Sequence, residues 1–326
     1  MRLRALPPAL VVAGIAVLVA GCGSDNDNNA ATGEAPSAVP RIEVVATSTQ
    51  LGDFVRSIGG SAVDVHQILK PNTDPHDYEP RPDDIEKTTG AKLVVTSGDN
   101  LDKWMAEIVK NAGGDPAQLD AGAGRPVTLP GETSGPEASR FDPHWWHDPS
   151  NAEYAVGRIQ AALVKADPQA KATIDRGAAA YQAKLQVLDA GIKGCIDQVP
   201  AAARKLVTDH DAFGYFAKRY DIDVVGAVIP SQTTQAQPSA GDLAQLAAII
   251  KREHVTAVFP ESSINPKLAQ AIAHETGATA DHTLYGDTLG PAGSPGATYL
   301  SMEQANADAM VAGFTGGQDH CTIAGL

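Results

Sequence analysis

Four short segments of the 326-residue chain put metal-competent side chains where the backbone is stiff or turns. Asp74-Pro75-His76-Asp77-Tyr78-Glu79-Pro80 sets a histidine between two prolines, whose fixed φ restrains the loop. Asp142-Pro143-His144-Trp145-Trp146-His147-Asp148-Pro149 repeats the device beside two large aromatics able to exclude water. Thr208-Asp209-His210-Asp211-Ala212-Phe213 places a third histidine where an apolar run gives way to a helical one, and Tyr285-Gly286-Asp287-Thr288-Leu289-Gly290 offers a carboxylate in a glycine-bounded turn. Zinc takes neutral imidazole nitrogens and carboxylate oxygens, usually four in a tetrahedron. Three histidines and one aspartate would supply that set. Imidazole favours zinc over manganese, which prefers mainly oxygen ligands, while copper or nickel would have to be excluded by geometry. The separations match neither a zinc finger nor an HExxH helix, so the residues must come from distant parts of the fold. Any single loop histidine is more often a cap or a surface group. His147, three residues from His144, competes with it for a ligand role. His66, His254, His274, His282 and His320 have no comparable surroundings and read as structural or solvent-facing.

The elements that must position these loops form two blocks of alternating strands and helices around one long helix. In the first block, 42–46, 63–69 and 93–96 read as strands, with helices over 51–58, 83–89 and 101–112. In the second, strands over 205–208, 224–229 and 255–259 alternate with helices over 212–220, 243–253 and 266–276, and a last helix covers 302–314. Such alternation implies parallel sheets covered by helices, and open α/β sheets bind ligands at the carboxyl ends of their strands. Between the blocks a helix over 151–165 precedes a longer one. Asp167 caps it and Pro168 suits its first turn. Its apolar residues Ile174, Ala178, Tyr181, Leu185, Leu188, Ile192 and Ile196 recur at helical spacing and line one face. The fold class is α/β, with an N-terminal lobe over 41–166, a linking helix over 167–199 and a C-terminal lobe over 200–326. Residues 121–141 form a Gly-, Pro- and Ser-rich loop without histidine. No internal sequence repeat is evident.

Arg2 and Arg4 followed by an apolar run over 9–20, too short to span a bilayer comfortably, have the form of a signal peptide. Val19-Ala20-Gly21-Cys22 resembles the lipobox of bacterial lipoproteins, which implies cleavage of 1–22 before Cys22 and lipidation of that cysteine. Residues 23–40 are small and polar and read as a flexible tether. The formal net charge of −14 argues against nucleic acid as a partner. Cys195 and Cys321 are the other two cysteines. Outside the cytoplasm two thiols are more often bridged than free, so a disulfide between them is expected, with a two-cysteine metal site as the alternative.

The segments Pro75-His76-Asp77-Tyr78-Glu79-Pro80, Asp142-Pro143-His144-Trp145-Trp146, His210-Asp211-Ala212-Phe213-Gly214-Tyr215-Phe216, Phe259-Pro260-Glu261-Ser262-Ser263 and Leu284-Tyr285-Gly286-Asp287-Thr288-Leu289-Gly290 resemble, in order, those of the zinc/manganese solute-binding proteins of ABC importers. The resemblance implies metal ligands at His76, His144, His210 and Asp287, held between two lobes bridged by a long helix. Manganese-type members tend to carry glutamate where this chain has His210, so it resembles the zinc-type branch. Many zinc-type relatives also carry a histidine-rich loop in the first lobe, which 121–141 lacks. Histidine at 147 is a second departure. Glu261 is expected to orient a ligating ring, with Glu79 and Asp142 as weaker candidates.

The function implied is capture of Zn²⁺, with Mn²⁺ as the less favoured cargo, and delivery to an ABC permease and its ATPase by a monomeric, lipid-anchored protein. A metallochaperone that loads it and an added adhesin role stay open. Motion on capture is expected to be confined to small loop shifts at Asp287. The rival from another class is a zinc hydrolase, with the three histidines as ligands and Asp287 or Glu261 as base.

Overall fold

The computed structural model describes residues 41–135 and 137–326; the leader, the lipobox cysteine Cys22 and the tether lie outside them. The first lobe is built on a four-stranded parallel sheet of β1 (Ile42–Ala46), β2 (Val63–Gln67), β3 (Leu93–Thr96) and β4 (Ala117–Asp120), in the order β2-β1-β3-β4. Its central strands are almost continuously apolar, as strands buried on both faces must be: Val44, Val45, Val94 and Val95 are all buried. Helix α1 (Thr49–Gly59) starts where the Ser48 hydroxyl accepts from the Leu51 N–H at 3.2 Å, and it buries Leu51, Phe54, Val55 and Ile58 along one stripe. Helices α2 (Pro82–Thr88), α3 (Met105–Ala112) and α4 (Pro149–Ala166) complete the first block.

Helix α5 (Lys171–Gln198) is about 42 Å long at 1.5 Å per residue. The seven apolar residues read from the sequence as its inner face are its buried residues. Gly177 permits α5 to press on the end of α1, since a Cβ there would lie 2.1 Å from the Ile58 carbonyl oxygen. Helix α9 (Tyr299–Phe314) also packs on α5. The expected disulfide is present: Cys195 near the end of α5 is bonded to Cys321 in the C-terminal tail, with Cα atoms 5.4 Å apart.

The second lobe contains β5 (Lys205–His210), α6 (Gly214–Tyr220), β6 (Asp223–Ile229), α7 (Ala240–Glu253) and α8 (Lys267–Thr276). Strands β5 and β6 pair in parallel. Parallel bridges from Thr208 to Phe259, Ala257 to Thr279 and Glu261 to Leu284 extend this pair by two more segments. The run expected as a strand over 255–259 is therefore held by isolated bridges and not by a continuous ladder. The resulting order, β6-β5 followed by the segments around 259 and 284, repeats that of the first lobe. This duplication is absent from the residue pattern. Strand β4 was likewise not anticipated, because Ala117-Gln118-Leu119-Asp120 is short, mostly exposed and at a sheet edge. Among the described residues no helix is long and apolar enough to cross a membrane.

Candidate metal centre

Three of the four singled-out residues end or follow a strand or bridged segment, and the fourth precedes a helical turn. His76 follows β2 in a loop where its N–H is bonded to Asp74 Oδ1 at 2.9 Å. His144 precedes the helical turn 145–147 that leads into α4, and its own N–H is held by Asp142 Oδ1 at 2.9 Å. His210 is the last residue of β5. Asp287 follows the bridged segment at Leu284. All four are buried, with exposures of 4, 0, 0 and 1 %, and one potential ligand atom from each lies within 4.8 Å of the others.

The orientation of the rings is set from outside the cluster. His76 Nδ1 lies 2.5 Å from Glu137 Oε2, His144 Nδ1 lies 2.7 Å from Asp142 Oδ1, and His210 Nδ1 lies 2.9 Å from Glu261 Oε1. A carboxylate accepts, so each Nδ1 carries the hydrogen and each Nε2 turns its lone pair inward. There, His144 Nε2 is 3.4 Å from His210 Nε2 and 3.4 Å from Asp287 Oδ1, and Asp287 Oδ2 is 3.5 Å from His210 Nε2 and 3.9 Å from His76 Nε2. His76 Nε2 and both Asp287 oxygens make no hydrogen bond, although buried polar atoms ordinarily do. Converging lone pairs at these distances repel unless a cation lies between them. A tetrahedral ion with bonds of 2.0–2.1 Å needs ligand edges of about 3.3–3.4 Å, which three of these four separations approach.

Without a cation, protons fill the role. Burial pushes the His144 pKa down, but Asp142 and Asp287 outweigh it and raise it to about 9. His210 is likewise held well above its ordinary value, because Glu261 and Asp287 overcome its burial. Burial would raise Asp287, yet His210, His144 and His76 hold it well below the usual carboxylate range. The site thus favours positive charge strongly enough to protonate buried imidazoles.

Glu261, besides facing the His210 ring, accepts the backbone N–H of His210 at 3.0 Å. Gly286 makes room for it: a Cβ there would lie 2.0 Å from Glu261 Oε2. Asp142 does the same work for His144, whereas Glu79 is exposed and joins nothing in the cluster. His147 is buried but turned away, its Nδ1 on Glu303 Oε1 at 2.8 Å. Glu137 was missed. It lies in the loop over 121–141, 61 residues from His76, and only the unusual length of that loop hinted at a role. The loop folds as a small hairpin, Pro130 bridging Phe141, and Glu132 ties it to the second lobe through Ser231 Oγ at 2.5 Å and the Gln232 N–H at 2.8 Å. The Asp287 turn, expected to move, is bonded to the first lobe four times. Gln50 Nε2 donates to the Asp287 carbonyl at 2.9 Å, Trp146 Nε1 to the Gly286 carbonyl at 3.1 Å, the Leu289 N–H to Thr49 Oγ1 at 2.8 Å and the Asn72 N–H to Thr288 Oγ1 at 3.0 Å.

Known proteins share this architecture. The iron-binding protein YfeA of Yersinia pestis is 33% identical over 84% of this chain and 86% of its own length. The manganese-binding lipoprotein MntA of Halalkalibacterium halodurans is 28% identical over 94% of this chain and 98% of its own. The structure of the periplasmic zinc-binding protein TroA of Treponema pallidum superposes with a TM-score of 0.77 at 32% identity, covering 84% of this chain and 99% of that one. The profile of the family described as ZnuA, zinc-uptake complex component A, periplasmic, matches residues 44–313. The chain belongs to that family, whose members are substrate-binding proteins of metal importers and not enzymes.

Proposed function

We propose that this protein captures Zn²⁺ outside the cytoplasmic membrane on His76, His144, His210 and Asp287, and releases it to an ABC permease powered by its ATPase. The observation that carries the reading is the convergence of three carboxylate-backed imidazoles and one carboxylate, with ligand-atom separations of 3.4–3.5 Å around His144, His210 and Asp287. In the division we propose, 41–166, 167–199 and 200–326, each lobe contributes two ligands. Lipidation at Cys22 would hold the chain at the membrane through the tether 23–40. The hydrolase alternative lacks a base: Asp287 belongs to the ligand set, and Glu261 is engaged by His210.

Manganese or iron is the second reading. Relatives named for both metals favour it, as does the placement of Asp287, whose two oxygens both face imidazoles and would suit a higher coordination number. Elemental analysis of protein purified without added metal, followed by competition among zinc, manganese and ferrous iron, decides between them. Zinc retained at one ion per chain and resistant to excess manganese is the expected result. Displacement of zinc by equimolar manganese would overturn the assignment.

A further inference from the structure

Helix α9 grips, from behind, the chain segments that carry two of the four site residues. Tyr299, Glu303 and Asn306 are spaced four and three apart, so they share one helix face, and all three are buried. Tyr299 donates its hydroxyl to the Trp146 carbonyl at 2.6 Å. Glu303 Oε1 engages His147 Nδ1 at 2.8 Å. Asn306 takes the Tyr285 N–H on Oδ1 at 2.8 Å and returns a bond from Nδ2 to the Tyr285 carbonyl at 3.0 Å. Asn306 Nδ2 also lies 3.5 Å from Glu303 Oε2, linking the two grips. Trp146 and His147 lie two and three residues after His144, and Tyr285 comes two residues before Asp287. The His147 ring further stacks on Phe213, with centroids 4.3 Å apart and planes inclined by 27°, and Phe213 lies three residues beyond His210.

Burying a histidine–glutamate pair gains little stability over an apolar pair of similar volume. What such a pair supplies here is a fixed position. Selection among divalent metals by an N/O site rests on geometry more than on intrinsic affinity. Resting on the reading of His144 and Asp287 as ligands, we propose that Tyr299, Glu303 and Asn306, acting through Trp146, His147 and Tyr285, are positioning residues that hold the His144–Asp287 edge at 3.4 Å and thereby favour a tetrahedral ion over one needing more ligands. Loosening the grip lets the carboxylate retreat and water enter, which favours the oxygen-preferring metal.

The test uses the whole mature protein and three readouts: the ratio of zinc to manganese dissociation constants, the visible spectrum of the Co²⁺ complex, and the melting temperature of the metal-free form. Asn306→Ala and Glu303→Leu should lower the zinc preference about tenfold, the low end for outer partners of a metal site, and weaken the intense bands of tetrahedral cobalt. Glu303→Gln keeps an acceptor for His147 and should stay near the parent. The double variant His147→Leu/Glu303→Leu replaces the polar pair by an apolar one, so it should stay folded and still lose preference. Parent-like ratios and cobalt spectra in the folded Asn306→Ala and double variants would overturn the proposal. His144→Ala and Asp287→Ala separate this from the underlying reading. Loss of zinc in these two with no effect from α9 sinks only the positioning role, whereas retention of zinc in them removes the ligand assignment itself.

Discussion

His76 and His210 are both imidazoles backed by carboxylates, yet the fold holds them in opposite ways. His210 ends a strand, and its partner Glu261 comes from the neighbouring bridged segment and takes both the ring and the backbone N–H. Its Nε2 lies within 3.5 Å of both His144 Nε2 and Asp287 Oδ2. His76 stands nine residues beyond the end of β2, its partner sits in a hairpin, and its carbonyl is held by Gln235 from the other lobe. Its Nε2 is 3.9 Å from Asp287. One corner is thus built into the sheet and the other is assembled from three loops. On the proposed assignment, the difference separates a fixed ligand from an adjustable one.

Removing each proposed ligand gives the largest test of that contrast. A structural zinc site is worth about 10–16 kcal/mol in total, so an equal share is about 3 kcal/mol, or roughly 100-fold in affinity. His210→Ala should cost at least that share by zinc titration calorimetry, and His76→Ala less. The reverse order would break the comparison. The carboxylates come next. Glu261→Gln should weaken zinc toward the upper end of the ~10–100-fold range for outer partners, and Glu137→Gln toward the lower end. Chelator-driven release rates should rise for both, and faster release from Glu261→Gln would sharpen the distinction.

The pH response is smaller but carries a sign. His144 is raised to about 9 in the fold against an ordinary value near 6.5. Its contribution to metal-free stability is therefore fully present below about 6.5 and lost as pH rises through about 9. The same protons compete with metal, so zinc affinity should climb with pH over that window. Melting temperatures with and without zinc should diverge between pH 6.5 and 9. A constant gap would show that His144 does not exchange a proton for the ion. Cleaving the Cys195–Cys321 bridge, which spans 126 residues, should lower stability by about 2–5 kcal/mol in denaturant titrations and leave zinc affinity unchanged.

The legible and illegible features of this chain differ in range. The inner face of α5 could be read because its seven residues repeat at helical spacing. Three of the four clustered residues stood out because prolines, aromatics or glycine flank them, and His210 because an apolar run there gives way to a helical one. Asp142 lies two residues from His144, and Glu261 follows the run 255–259 that reads as a strand. Glu137 had no local mark, since its pairing with His76 depends on how a hairpin folds over a cleft. The grip of α9 was equally hidden: Tyr299, Glu303 and Asn306 are buried polar residues on a helix whose start was read at 302 instead of 299. The matching strand orders of the two lobes are a property of topology, and bridges of one or two residues leave no alternating pattern to find.

That matching order has a practical consequence. Two sheets wound alike present their carboxyl edges to each other, and each donor arrives on its own segment of chain. A corner can then be lengthened, shortened or given a new side chain while the remaining three keep their own supports. Changing what the cleft accepts becomes a matter of exchanging one loop at a time, and the corner at His76, assembled from loops and not built into a strand, is where such an exchange would disturb the framework least.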